Sequence, residues 1–565
     1  MKNITKLSLA ALALTMGLNS CLEEVVPQEN QVTSEQAAAA PNAYDNVVTT
    51  VTSSMTGQML YDQYYYGYVN ANTNHYPWDF GYASMFLLRD LMGQDMIPTS
   101  TSSWYQSIYT CGGYLTSQNG YGNWLNWYFG YTFINNCNEA IKQGNTLINE
   151  NSKYRYGVGI GLAIRSMVYM DLAQYYSTET ATKNPEAATV PLVLENSTNT
   201  TSNPRATWTE MLDQVIGDLK TAKGYLFDYK RSDKTTPDST VCAGLLARAY
   251  LLKGEWANAR KSAEEAMGSY SALSSAELTD HAKGFNTSDN NSWMLCGKQK
   301  STDHCLIYND GDTGWGSQMV CEAGPSGCGY SSNYVGPFHI DRHLFESIPA
   351  TDARKDQWID FAVSDCASEA EINAFIAPRY TDAAENIAYA QWDATDPAGA
   401  CVKFRPANNE HLNQYAAFCI DIPFMRYEEM KLIQIEAAGR NGDSDAEALL
   451  TAFAQLRDPN YKYGDHAVDN NYGGGLSEFL REVHWQRRVE LWGEGFATFD
   501  MKRFGTNLVR SYANSNHLSG YRWNITGTPA WFSGHIPTSE SNYNDAIIDN
   551  ASFSKPSEES EEYKW

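Results

Sequence analysis

Three kinds of residue in this chain could do chemistry: paired carboxylates, small clusters of metal-binding or nucleophilic groups, and aromatic rings in loops. Glu490 and Glu494 stand four positions apart, with Arg487 three before the first. Glycoside hydrolysis needs two carboxylates, but they must face each other across the sugar. Side chains at i and i+4 of a helix point the same way. This spacing therefore reads as a structural ion-pair network closing the C-terminal helix on the rest of the fold, not as a catalytic pair. Asn441 to Glu447 begins like a calcium loop, yet Ala446 stands where the glycine is needed and Ala452 where the bidentate Glu is needed. It reads as a turn between two helices. Asn309-Asp310-Gly311-Asp312 also reads as a turn. His304 beside Cys305 lacks a third group to orient it. Gly157 to Gly161 follows no strand, and no GKS/T or ribose-binding acid comes after it, so it is not a nucleotide loop. No catalytic residue, metal or cofactor is expected.

The loop aromatics remain. Tyr and Trp number 37 and 15, many for 565 residues. A sugar presents apolar C–H faces that stack on such rings, while Asn, Asp or Gln hold its hydroxyls at the rim. Trp78 with Asn74 and Asp79, Trp104 with Tyr105, and Trp293 with Asn291 meet that description. So do Trp315 with Asp312 and Tyr330 with Asn333. Trp124, Trp127, Tyr128 and Tyr131 instead fall at i, i+3, i+4 and i+7 on one helix face, which assigns them to the core.

The elements that must carry these rings are mainly helical. Amphipathic periodicity marks helices over about Val158–Tyr176 and Trp208–Leu226. From Ala243 to Ala266, Tyr250, Gly254, Trp256, Ala259 and Ala266 resemble a tetratricopeptide helix pair. Small alanines there let two helices approach, and the glycine makes the turn. A looser copy runs from about Pro423 to Arg457 with Gly442 at its turn. One such pair cannot bury its apolar face alone, so several must stack. Residues 280–420 break the pattern and read as long irregular loops on that frame. Helical periodicity returns near Ile422 and over Leu476–Phe504, and the acidic stretch Pro556–Trp565 reads as a mobile tail.

Two lysines before an apolar run from Leu7 to Leu18 form an export signal too short to span a bilayer. Leu18-Asn19-Ser20-Cys21 then resembles a lipobox, which makes Cys21 the acylated first residue of the mature chain. Acids directly behind it, Glu23 and Glu24, resemble the signal that sends such lipoproteins to the cell surface. A net charge of −25 argues against nucleic acid as a partner. Of the 11 cysteines, Cys137 and Cys242 read as buried apolar residues. Cys296, Cys305, Cys321 and Cys328 lie in loop-rich sequence and are the disulfide candidates, without a CxxC pair for zinc.

Gln486-Arg487-Arg488-Val489-Glu490-Leu491-Trp492-Gly493-Glu494-Gly495, followed by Asp500-Met501-Lys502-Arg503-Phe504-Gly505, resembles the C-terminal signature of the SusD/RagB family. That signature is R-x-x-E-L-x-x-E-G, then D-L-x-R-W-G; Phe504 stands here for the usual Trp. Asp421 to Glu429 leading to Ile435-Glu436-Ala437-Ala438 is similar to the family's I-P-x-x-R-Y-A-E helix. Gly122-Asn123-Trp124 through Asn136-Cys137-Asn138 is similar to its N-terminal helix ending in C-N. The resemblance implies one mainly α fold of tetratricopeptide-like pairs, with long irregular loops forming the ligand face. It divides the chain into a signal peptide (1–20), a lipid anchor and tether (21–42), an N-terminal helical part (43–280), a loop-rich ligand face (281–420) and the signature region (421–565). It further implies a surface lipoprotein of the outer membrane that binds oligosaccharides and passes them to a SusC-like TonB-dependent transporter, without catalysis. Peptide capture on the same scaffold and a surface glycan-degrading enzyme are the alternatives.

Overall fold

The computed structural model describes residues 43–53, 80–99, 105–198, 201–280, 282–303, 306, 314–323, 329–331, 336–380 and 397–565. The signal peptide, Cys21 and the tether lie outside the described residues. So do Trp78, Asp79, Trp104, His304, Cys305, Asn309 to Asp312, Cys328 and Asn333. A short N-terminal unit ends at Val47, within α1 (Ala43–Ser53), and the second unit runs from Val48 to Trp565.

The second unit is built on a series of helices. They are α2 (Ser84–Met92), α3 (Tyr121–Leu147), α4 (Ser152–Tyr176), α5 (Trp208–Tyr225), α6 (Ser239–Lys253) and α7 (Trp256–Met267). From α3 to α7 each packs against the next in sequence order. Local sequence sets their ends. Asn151, Thr207 and Asp238 cap α4, α5 and α6, and Thr207 with Glu210 completes a capping box. Gly254 closes α6 at φ +80°, a conformation that favours glycine. Ala259, Ala263 and Ala266 of α7 are fully buried, so the tetratricopeptide-like pair forms as its small residues require.

The second pair is α8 (Tyr427–Asn441) and α9 (Ala446–Gln455), joined by a turn at Gly442 with φ +77°. Asp443 and Asp445 in that turn pair with Arg260 of α7. The segment before α8 differs from its helical reading. Asp421–Arg426 is a strand, paired antiparallel with Trp293–Lys298, because it completes a ladder with a partner far away in the chain. Two smaller antiparallel pairs join Met96–Pro98 to Phe338–Ile340 and Leu508–Val509 to Asn524–Ile525.

The signature region folds as α10 (Glu478–Glu490), capped by Ser477, and α11 (Ala497–Phe504). Gly493 and Gly495, at φ +76° and +79°, break the helix between them. Asp90 of α2 accepts the Gly495 and Ala497 amides, which ties the start of α11 to the N-terminal half. The tail corrects its expected mobility. Tyr563 bridges Tyr512, and the Trp565 ring stacks on His343 at 3.5 Å with the planes 4° apart. The disulfide expectation is also corrected where it can be read: Cys296 and Cys321 are buried free thiols. Burial pushes the Cys296 thiol up to about 12. Among the described residues no helix is long and apolar enough to cross a membrane.

Candidate functional site

The signature carboxylates are structural. Glu490 accepts from Arg457 at 2.9 Å, from Arg426 at 2.8 Å and from Arg354 at 3.3 Å. Glu494 takes the other side of Arg426 at 2.8 Å and Lys403 at 2.7 Å. One guanidinium thus spans both acids, and every member of the cluster is buried. Burial alone would lift the Glu490 pKa, but Arg457, Arg426 and Arg354 outweigh it and hold the carboxyl well below its usual range. The shared helix face expected for them is corrected: the helix ends at Glu490 and Glu494 stands in the turn at Gly493, so the two acids meet through Arg426, and cations occupy both where a sugar would have to lie.

The loop aromatics are corrected by burial. Trp293 is fully buried in its strand, paired with Arg426, with Phe285 beside it. Trp315, also fully buried, packs edge-on against Phe86 and Phe404. Tyr105 lies under Phe338, and Tyr330 is 9% exposed. A ring with neither face open to solvent cannot stack on a sugar, so these four residues belong to the core. Asn291, the companion expected for Trp293, is exposed, while Asp312 and Asn333 fall outside the described residues, as do Trp78 and Asp79.

The open aromatic surface lies elsewhere, on the stripe assigned to the core. Trp127, Tyr128 and Tyr131 of α3 form one wall of a groove of about 470 Å³. Trp127 is buried, whereas Trp124, Tyr128 and Tyr131 are only half-buried. Pro191 and Val193 line the groove between α4 and α5, and Ser539, Glu540 and Tyr543 come from the C-terminal region. The Tyr543 ring is 79% exposed. Thr132, Asn135 and Asn203 add neutral polar groups to the lining.

Each wall is fixed from behind. The Tyr131 hydroxyl donates to the Pro191 carbonyl at 2.7 Å, and Asn138 donates to the Val193 carbonyl at 2.9 Å. The Trp127 ring is held between Tyr131 and Tyr176. Asn544 clamps the third wall. It accepts the Asn203 amide at 2.9 Å and donates to the Asn203 carbonyl at 2.7 Å and to Glu540 at 2.9 Å. Burial raises the Tyr128 and Tyr131 phenols, so both stay protonated donors at neutral pH.

Size separates this groove from a second cavity among the described residues. A cavity walled by the Arg89–Asp171, Arg248–Glu429 and Arg487–Asp500 pairs holds only about 50 Å³. Small-molecule sites occupy roughly 300–1,000 Å³. The groove falls in that range and combines flat rings with hydroxyl-binding groups. The sequence did carry a signal for it: the aromatic face of α3 continues into Thr132 and Asn135, where a buried stripe would stay apolar.

Residues 88–251 match a family model described as starch-binding associating with outer membrane, and residues 349–556 match the model of the SusD family. A SusD-like carbohydrate binding protein from Bacteroides vulgatus ATCC 8482 superposes with a TM-score of 0.65 at 20% identity, over 89% of this chain and 96% of that one. A SusD superfamily protein from Bacteroides thetaiotaomicron VPI-5482 gives 0.66 at 16% identity, over 90% and 99%. Surface glycan-binding protein A from Bacteroides thetaiotaomicron, solved in complex with laminarihexaose, gives 0.60 at 15% identity, over 90% and 98%. No curated protein matches the chain.

Proposed function

Because the chain belongs to the SusD/RagB family, we propose that it captures oligosaccharides at the outer membrane and hands them to a SusC-like TonB-dependent transporter for import. In this reading Cys21 carries the lipid anchor, and the protein binds its cargo without altering it. The observation that carries the binding role is the groove between α3 and the C-terminal region. There the exposed Tyr543 and the half-buried Tyr128 line the opening, and Asn135, Asn203 and Glu540 offer hydroxyl partners. The glycan complex of the structural relative supports the ligand class. A peptide would favour an exposed strand edge to pair with, and the groove walls are helix and turn.

Calorimetric titration with malto- and laminari-oligosaccharides tests the reading. Binding is expected, with Tyr128→Ala and Tyr543→Ala each weakening it by roughly 1–3 kcal/mol, as loss of a contact aromatic does. Their thermal melts should stay near the parent's. Silence across the panel, or release of reducing sugar by the purified protein, would overturn it.

A further inference from the structure

Resting on the groove as a sugar site, we infer that it is one end of a longer track along α3 that takes a linear, uncharged oligosaccharide of several units. Half-buried rings continue out of the groove in an unbroken series. Tyr128 meets Trp124 at 5.1 Å between ring centroids, Trp124 meets Tyr121 at 6.2 Å, and Tyr121 meets Tyr114 at 5.7 Å. Successive planes are tilted by 46°, 40° and 52°, so the rings form a stepped surface instead of a closed stack. Tyr121, Trp124 and Tyr128, three or four positions apart on α3, each advance by about one turn, roughly 5.4 Å, a step on the scale of one hexose in an extended chain, and Tyr114 extends the series from the short helix Gly113–Thr116. Each ring can then meet one sugar unit.

Charge decides which sugars fit. From Met96 to Asn138 the chain carries no Asp, Glu, Lys, Arg or His. Among the described residues lining the groove, Glu540 is the sole charged side chain. A carboxylate accepts bonds from sugar hydroxyls and repels uronic or sulfated units; among the described residues no cation lines the groove, and Arg205, the guanidinium acting on Tyr131, is spent on the Thr189 and Tyr176 carbonyls. The short helix Thr538–Ser541 supplies Ser539 and Glu540 to the groove, while its Thr538 hydroxyl donates to Asn119 beside the outer rings. One C-terminal element thereby borders both parts of the track. Protein segments are the competing occupants; interface hot spots are enriched in Trp, Tyr and Arg, and an Arg would find Glu540 as its one charged partner among the groove residues.

The test is titration of the full mature protein with malto- and laminari-oligosaccharides from two to about seven units, with oligogalacturonates of the same lengths alongside. Affinity for the neutral series should climb with length and then level off, and the acidic series should not bind. Tyr114→Ala and Trp124→Leu should lower affinity for the longest oligomers by about tenfold or more, the scale of a lost aromatic contact. Affinity for the shortest binding oligomer should stay within about twofold, and Tyr543→Ala should weaken every length. Trp124→Leu keeps apolar bulk, and thermal melts identify any variant that fails to fold. Length-independent binding, full binding of long oligomers by both outer variants, or equal binding of oligogalacturonates overturns the track while leaving the groove standing. Outer variants that keep sugar affinity but lose the transporter make the ladder a protein interface and likewise overturn it. No binding at any length removes the groove reading itself.

Discussion

Glu490 shows how little a residue's type says without its partners. A buried carboxylate facing three guanidiniums supports them as much as they support it, so Glu490→Gln strands cations in the core. The expected cost is about 3–5 kcal/mol, read as a lowered thermal midpoint, with oligosaccharide affinity of the remaining folded protein unchanged. Glu482 acts in the opposite sense. Burial raises its pKa to about 7, against the Tyr461 hydroxyl and the His466 amide that favour its charged form. A raised carboxyl contributes stability below its unfolded pKa, near 4.5, and loses it as pH climbs toward 7. Glu482→Gln should therefore flatten the stability decline between pH 5 and 8 by roughly 1–3 kcal/mol, measured by denaturant melts across that range. Glu436 supplies the acid limb: burial opposes its charge, but Arg503 and Arg440 pull its pKa to about 2. Its share of stability is full above pH 4.5 and disappears as pH falls toward 2. The ion-pair role of Glu490 and Glu494 was legible from sequence, but not its geometry: the helix ends at Glu490, Glu494 stands in the turn at Gly493, and Arg426 brings the two acids together. Trp293 and Trp315 were not legible, since a loop ring becomes core only through distant partners such as Arg426 and Phe404.

Glycines separate two kinds of constraint at the level of elements. At Gly442 an added Cβ meets nothing within 4 Å, so Gly442→Ala pays only for φ +77°, about 1–2 kcal/mol. At Gly439 an ordinary helical backbone places a Cβ 2.0 Å from the Phe479 ring of α10. Gly439→Ala should cost about 1–3 kcal/mol through overpacking, although alanine is the better helix former. Shortening Phe479 should rescue the second variant and not the first; thermal melts of both double variants decide it. The helix pairs were legible because caps, periodicity and the turn glycine all lie within one stretch of chain. The Trp293–Lys298 and Asp421–Arg426 ladder was not, because its two strands are set by register across a long intervening segment. On the α3 stripe Trp127 is core as read, whereas Trp124, Tyr128 and Tyr131 are only half-buried, for a related reason. Whether Tyr128 faces core or solvent depends on how far the C-terminal segment reaches across it, which no local pattern encodes.

At the scale of the whole molecule, the proposed anchor and partner lead to two measurements on cells. Cys21→Ser should move the protein from the membrane fraction to the soluble one, because several acyl chains would supply nearly all its membrane affinity. Mild-detergent extraction of the parent should bring a large outer-membrane barrel with it across an interface above roughly 1,000 Å². The groove itself has a bearing on when such a molecule becomes useful. Its third wall is clamped by Asn203 and Asn544, residues 341 positions apart. A chain stalled or clipped before Thr538 would keep most of its helices and present only half a receptacle. Cargo loading would therefore act as a checksum on synthesis and export, accepting only molecules whose early and late segments have met.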